Sequence, residues 1–275
     1  MIIDSHHHYW KYNPVEYDWI DESMNTIRKD FSPADLRNTI NDAGVDGVVS
    51  VHARQMIEET DWLLSLAAEN DFMKGVVGWL PIADDMFDEV IEKYALEKKL
   101  VALRHVVQGE QDDYYILRKD FNRGISLLKN YGLTYDILIY ERHLPQTIQF
   151  VDKHPDQLFV LDHIAKPLIR KGEISPWREN IINLAKRENV YCKMSGMVTE
   201  ADFTSWNEQQ FQPYFDVVLE AFGPSKIMFG SDWPVCLVGV EYKNWMKIVK
   251  RAISKLSNNE QQMIMGLNAQ KAYNL

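Results

Sequence analysis

The sequence predicts an α/β chain folded as a (β/α)8 TIM barrel, and three observations predict it. Short apolar, β-branched runs alternate with longer segments of helical period; there are eight such pairs; and 275 residues suffice for one barrel of about 250. Strand followed by helix, eight times over, makes a parallel sheet with its helices outside, and eight strands can close on themselves. An open doubly wound sheet is the rival. Pro and Gly are scattered as punctuation and no low-complexity tract interrupts the chain, so residues 1–275 are expected to form one domain.

The strand runs open at Ile2, Val45, Met73, Leu100, Leu133, Gln157, Asn189 and Lys226. After the first comes a long connection, Tyr9 to Phe31, rich in Trp10, Tyr12, Tyr17 and Trp19, of the kind that often covers a site. Ser32-Pro33-Ala34-Asp35 then supplies an N-cap, a first-turn Pro and an acid at the third position, and Ser175-Pro176-Trp177-Arg178 repeats the cap and the Pro. Ile57 to Glu69, Met86 to Lys98, Leu117 to Tyr131 and Tyr214 to Phe222 space Leu, Ile, Phe and Trp at three and four residues, as amphipathic helices do. His143 and His154 fall in the fifth helical interval and are expected to be solvated. Asn258 to Leu275 reads as an extra C-terminal helix.

The composition, 46% hydrophobic and 25% charged, is globular, and a chain of this length builds its core without disulfides or a structural metal. Forty acidic against 30 basic side chains leave a net charge of −10, a field that repels phosphate backbones and anionic lipid. Nucleic acid and membrane surfaces are therefore not expected as partners. No stretch approaches the ~20 apolar residues of a membrane span, and Met1 to Trp10 lacks a basic segment followed by an apolar run. Cys192 and Cys236, the two cysteines, do not have the spacing of a ligand pair, which points to a reduced, cytoplasmic setting.

In a barrel the reactive groups gather at the C-terminal ends of the strands, so polar residues there carry the functional reading. The first strand ends in His6-His7-His8. Period-two geometry points His6 and His8 to one face, about 6 to 7 Å apart along the strand, and both can reach one ion at ~2.0–2.1 Å if it is zinc. The sixth delivers His163, ahead of Ile164-Ala165-Lys166-Pro167; a lone strand-end His is more often hydrogen-bonded than ligating. The eighth places Asp232 ahead of Trp233-Pro234, where a carboxylate is usually a cap or an ion-pair partner. Beside three histidines it becomes a candidate ligand or general base.

Taken in order, the blocks Asp4-Ser5-His6-His7-His8-Tyr9-Trp10, Leu103-Arg104-His105-Val106-Val107-Gln108, Leu161-Asp162-His163-Ile164-Ala165-Lys166-Pro167, Cys192-Lys193-Met194-Ser195-Gly196, Phe229-Gly230-Ser231-Asp232-Trp233-Pro234 and Gly266-Leu267-Asn268-Ala269 with Tyr273 span most of the chain. They resemble the amidohydrolase superfamily, in its amidohydrolase-2 branch of L-fuconolactone and L-rhamnonolactone hydrolases. The resemblance implies a barrel of the metal-dependent-hydrolase type with its site at the C-terminal rim. His6, His8, His163 and Asp232 are its implied ligands, with Asp232 also handling the water proton and His163 its catalytic companion. Binuclear members carry a carboxylated Lys on strand four and a further His on strand five. Here those strands carry Arg104-His105 and Tyr135-Asp136, so the resemblance implies one divalent ion, zinc first, or none, since some relatives work without metal.

Lactone hydrolysis needs an activated water, a polarised carbonyl and a proton for the leaving alkoxide. Arg104, His105 and Lys166 are the rim donors that could bind the oxyanion or substrate hydroxyls, and only one of the adjacent pair Arg104 and His105 can face inward. Trp10, Trp19, Trp79, Tyr140 and Trp233 could supply a flat wall or lid for a sugar ring, though most aromatics of the chain must be core. Lys193 and Ser195 share a face, as do Ser50 and His52; a snorkelling lysine, an inward-layer serine and a core histidine are at least as good readings as substrate contact. Asp4 is expected to orient the first strand or a histidine. The expected activity is hydrolysis of a sugar-derived 1,4- or 1,5-lactone, the partner a small-molecule lactone, with a homo-oligomer left open. The alternatives are a decarboxylase of an aromatic or unsaturated acid, favoured if Arg104 and Lys166 converge on a carboxylate, and a non-catalytic sugar-acid-binding barrel.

Overall fold

A computed structural model describes residues 1–275. Its strands are β1 (Ile3–His7), β2 (Gly47–Val51), β3 (Met73–Gly78), β4 (Leu100–Val106), β5 (Thr134–Leu138), β6 (Phe159–Leu161), β7 (Val190–Met194) and β8 (Ile227–Phe229), each at an expected run. They pair in parallel in chain order. The barrel closes between its ends: Asp232 N donates to His6 O at 2.8 Å, His8 N to Trp233 O at 2.7 Å, and Ser5 Oγ to Phe229 O at 2.7 Å. That closure rules out the open sheet.

The outer helices are α1 (Pro33–Ala43), α2 (Ile57–Glu69), α3 (Phe87–Tyr94), α4 (Lys119–Leu128), α5 (Leu144–Asp152), α6 (Trp177–Leu184), α7 (Gln212–Phe222) and α8 (Tyr242–Ala252). At α1 the expected signals act together: Asp35 reaches back to Ser32 N at 2.8 Å and takes the Ser32 hydroxyl at 2.6 Å. At α6 they do not. The helix begins at Trp177 with Pro176 in the cap position, and Ser175 instead donates to Glu179 Oε1 at 2.9 Å. His143 corrects a second expectation, being buried, with Nε2 2.9 Å from Asp113 Oδ1. His154 is half-buried against Asn122 Oδ1 at 2.9 Å. No helix is long and apolar enough to cross a membrane.

The tail is helical as α9 (Asn258–Gln262), a π segment (Met263–Leu267) and α10 (Asn268–Tyr273). It closes the N-terminal mouth of the barrel. Ala269, Ala272 and Tyr273 pack with Ile3, Val49, Val51, Val77, Val101, Val160, Tyr191 and Met228, and Thr134 Oγ1 donates to Ala272 O at 2.7 Å. A larger apolar layer lies between the sheet and the helices, taking in Trp177, Trp245, Phe121 and Phe150. The aromatic β1–α1 connection belongs to it: Trp10 is fully buried against Tyr17, Trp19 and Phe31.

Candidate active site

His6 and His8 leave β1 on one face, and their Nε2 atoms stand 3.2 Å apart. Asp232 Oδ1 lies 3.8 Å from His6 Nε2, 3.4 Å from His8 Nε2 and 4.0 Å from His163 Nε2. Residues more than two hundred positions apart thus meet at the C-terminal rim. All four are buried.

Two backbone features aim them. Asp232 sits at φ 58°, and His163, Ile164, Ala165 and Lys166 all have positive φ, a left-handed turn of four residues that each bear a Cβ. That conformation costs roughly 1–2 kcal/mol per residue and persists only where the surroundings impose it. Here Lys166 N donates to His163 O at 2.8 Å, and the Trp177 indole N–H to Ile164 O at 2.7 Å. Because the chain turns left-handed at His163, the adjacent residues Asp162 and His163 both face His6, which a continuing strand would forbid. His163 Nδ1 lies 2.9 Å from Ser195 Oγ, and Gly196, at φ 63°, passes beneath the ring so closely that a Cβ there would fall 2.4 Å from Nδ1. Asp4 does not touch an imidazole. It takes Ser231 N at 2.8 Å and Ser231 Oγ at 2.5 Å, and so ties β1 to the loop that carries Asp232.

The arrangement suits a cation. The His8 Nδ1 proton is directed to Val51 O at 2.7 Å, so in the neutral ring Nε2 is a lone pair facing the Asp232 carboxylate, one acceptor against another. A tetrahedron of ligands about 2.0–2.1 Å from its centre has edges of about 3.3–3.4 Å, close to the 3.2 and 3.4 Å that separate His8 Nε2 from His6 and from Asp232, with His6 to Asp232 longer at 3.8 Å. Burial drives the His163 imidazole down to about 4 and His6 well below its ordinary value, so both are neutral, as ligands must be. Burial opposes ionisation of Asp232, yet His163, His8 and Lys166 hold its carboxyl below the usual range.

Below these residues lies a buried charged network. Arg104 faces inward: Nη1 donates to Asp162 Oδ2 at 3.0 Å and lies 3.4 Å from His6 Nε2, while Nη2 donates to His52 O. Lys193, read as a possible snorkelling lysine, is fully buried, 2.6 Å from Asp136 Oδ2, 3.0 Å from Asp162 Oδ1 and 3.2 Å from His6 Nδ1. Burial alone would raise the Asp162 carboxyl, but Lys193, His6 and Arg104 keep it well below the carboxylate range. Ser50 meets His7 at 2.8 Å while His52 lies against Arg104, so those two do not act as a pair.

Three of the expected substrate contacts are engaged by the protein itself. His105 points outward, stacked on Tyr115 at 4.7 Å and bonded to Glu110 Oε1 at 2.6 Å, as strand alternation after Arg104 requires. Trp10 is enclosed, its indole N–H given to Lys29 O at 2.8 Å. Trp233 is 3% exposed and packs on Phe31 and Tyr9. Tyr140 and Lys166 stay at the rim, the ammonium 5.6 Å from the ring centre.

Eight parallel strands closed into a barrel, with His-x-His, a His and an Asp from three strands converging at the C-terminal rim, define a barrel of the metal-dependent-hydrolase class. The amidohydrolase family model matches residues 3–275, and the chain belongs to that family. It is 34% identical, over all of its length and 96% of the relative's, to an L-fucono-1,5-lactonase of Burkholderia multivorans. An L-fucono-1,5-lactonase of Burkholderia ambifaria is 33% identical over 85% of this chain and 80% of its own. Among solved structures, an amidohydrolase from Burkholderia multivorans with bound zinc superposes with a TM-score of 0.97 at 34% identity, covering 100% of this chain and 99% of that one.

Proposed function

We propose that this chain opens a sugar-derived lactone, L-fucono-1,5-lactone or a stereochemical relative such as an L-rhamnonolactone, to the aldonic acid. One observation carries the reading: three imidazoles and a carboxylate meet at the rim, in a chain similar over its whole length to L-fucono-1,5-lactonases. His6, His8 and His163 through Nε2, with Asp232, would hold one divalent ion, and this nitrogen and oxygen set suits zinc. When bound, the ion supplies a Lewis acid for the carbonyl and lowers the pKa of water.

The protein's own groups do the rest. Asp232 takes the proton of the attacking water and returns it to the ring oxygen as the C–O bond breaks. His163, fixed through Nδ1 by Ser195, keeps its Nε2 toward Asp232 and the reacting water. Lys166 and the Tyr140 face receive the sugar, the ammonium donating to hydroxyls or carbonyl and the ring covering the apolar side of the pyranose. Arg104 does not reach for substrate, because Asp162 and His52 O take up its donors. The decarboxylase alternative needed Arg104 beside Lys166 on a substrate carboxylate, so the geometry favours hydrolysis.

The test is acid release from a panel of sugar lactones, with zinc or manganese supplied and again after chelation. Turnover is expected on at least one six-membered lactone, with Asp232→Asn lowering it by about 10²- to 10⁴-fold. Silence across the panel refutes the activity, and an undiminished Asp232→Asn refutes the proton-transfer role.

A further inference from the structure

We propose that Tyr273, on the C-terminal helix at the opposite mouth of the barrel, is a positioning residue for His6, acting through Asp136 and Lys193. The inference rests on the metal reading above and extends it to a part of the chain outside the rim. The Tyr273 hydroxyl lies 2.9 and 2.8 Å from the two oxygens of Asp136. Asp136 Oδ2 takes the Lys193 ammonium at 2.6 Å. That ammonium lies 3.0 Å from Asp162 Oδ1 and 3.2 Å from His6 Nδ1, and Asp162 Oδ1 is 3.3 Å from the same His6 nitrogen. Tyr273, Asp136, Lys193, Asp162 and His6 are all buried, so each contact acts without competition from water.

The chemistry is a choice between tautomers. An ion on His6 Nε2 requires the ring proton on Nδ1, donated to Asp162. Lys193 stands within reach of the same Nδ1 and could donate to it instead; the proton would then move to Nε2 and block the ion. Asp136 Oδ2, at 2.6 Å, makes the shorter contact to the ammonium and so draws it from Nδ1, 3.2 Å away, and Tyr273 holds the Asp136 carboxylate in the orientation that does so. With Arg104 on the remaining oxygen of Asp162, two cations and two carboxylates compensate one another beneath a neutral imidazole.

Tyr273→Phe keeps the ring and removes only the hydroxyl. Zinc affinity, measured by competition with a chromogenic chelator, should fall about 10- to 100-fold, the usual cost of losing an outer hydrogen-bond partner of a ligand. Histidine ¹⁵N spectra of the zinc-free protein should show the His6 proton moving from Nδ1 toward Nε2. Thr134→Val, which removes the helix's bond at Ala272 O without touching this line, should leave zinc affinity and the His6 signal unchanged. If Tyr273→Phe lowers folding yield too far for titration, Asp136→Asn carries the same test, since it removes the charge that holds Lys193. Parent-like zinc binding in either variant overturns the inference alone. Equal losses in Tyr273→Phe and Thr134→Val overturn it in favour of plain destabilisation. A parent that binds no zinc overturns both the metal reading and this one.

Discussion

Gly196→Ala tests the site with one methyl group. Two costs act at this position, and they are separable. At φ 63° an alanine pays the left-handed penalty of roughly 1–2 kcal/mol. Its Cβ would also stand 2.4 Å from His163 Nδ1 and 2.6 Å from Cγ, closer than van der Waals contact permits, and ring atoms cannot yield as a flexible chain end does. Forced overpacking adds about 1–3 kcal/mol, for a total near 2–5 kcal/mol. Gly172→Ala is the control: its φ is 67° and nothing lies within 4 Å of the added carbon, so it bears the strain alone. The difference between the two variants in urea unfolding isolates the collision. In turnover the contrast should be larger, because a displacement of His163 by about 1 Å costs on the order of 10²-fold, whereas Gly172→Ala should be neutral. If Gly196→Ala keeps its rate within threefold of the parent, or if the two alanines destabilise equally, then the backbone at Gly196 does not fix the His163 ring.

The inward and outward assignments of β4 predict opposite outcomes for neighbours. Arg104→Met leaves Asp162 short of a partner in a buried setting, which should cost about 3–5 kcal/mol and most of the turnover, while His105→Phe should keep its stack on Tyr115 and its rate within about twofold. Comparable losses of turnover in both variants would show the orientation to be wrong. Acid should destabilise the metal-free protein through its buried histidines: burial drives His7 down to about 3, His163 to about 4, and His6 and His52 well below 6.5. Below pH 6.5 the unfolded chain takes up protons that the folded one refuses, so stability falls with pH toward 4, His7 and His163 each losing about 1.6 kcal/mol between pH 6.5 and 5 and His6 and His52 acting in the same direction. Asp4 and Asp136, each pushed up to about 6 chiefly by burial, work the other way by about 1 kcal/mol each between pH 6 and 5. A urea midpoint that does not drop between pH 7 and pH 5 would contradict this sum.

The strands were legible because each is a short β-branched run between punctuating residues, and His6 and His8 because alternation fixes their common face. Arg104 against His105 was legible only as an exclusive choice; the structure decides it through Asp162, a residue that alternation would have turned away from His163. No propensity signals the left-handed turn from His163 to Lys166, since none of its residues is glycine and its cause lies in the Trp177 indole and the loop carrying Gly196. Trp10 and Trp233 are more enclosed than their place in the sequence suggests, for a related reason. Both occupy rim positions in sequence, but the β1–α1 connection folds back over them, and a sequence records the length of such a connection without its path. Lys193 was undervalued because burying an ammonium is costly in isolation, and the carboxylates that compensate it come from two other strands.

Those compensating charges also explain how one barrel interior can be both a stable core and a polar site. Along β7 the inward residues run Tyr191, Lys193, Ser195; along β6, Val160 then Asp162; along β5, Thr134 then Asp136; along β4, Ala102 then Arg104. Each strand changes from apolar or small to charged or polar within two residues, and the changes fall at one level. Beneath it, Ile3, Val49, Val160 and Met228 pack against the C-terminal helix. Above it, the imidazoles and Asp232 open to the rim. A charged layer at that height is costly unless every member is paired, and Asp136–Lys193–Asp162–Arg104 pairs them in alternating sign across four adjacent strands, β5, β7, β6 and β4. The layer therefore lies beneath His6 with its charges mutually compensated, the condition on which the role proposed for Tyr273 depends.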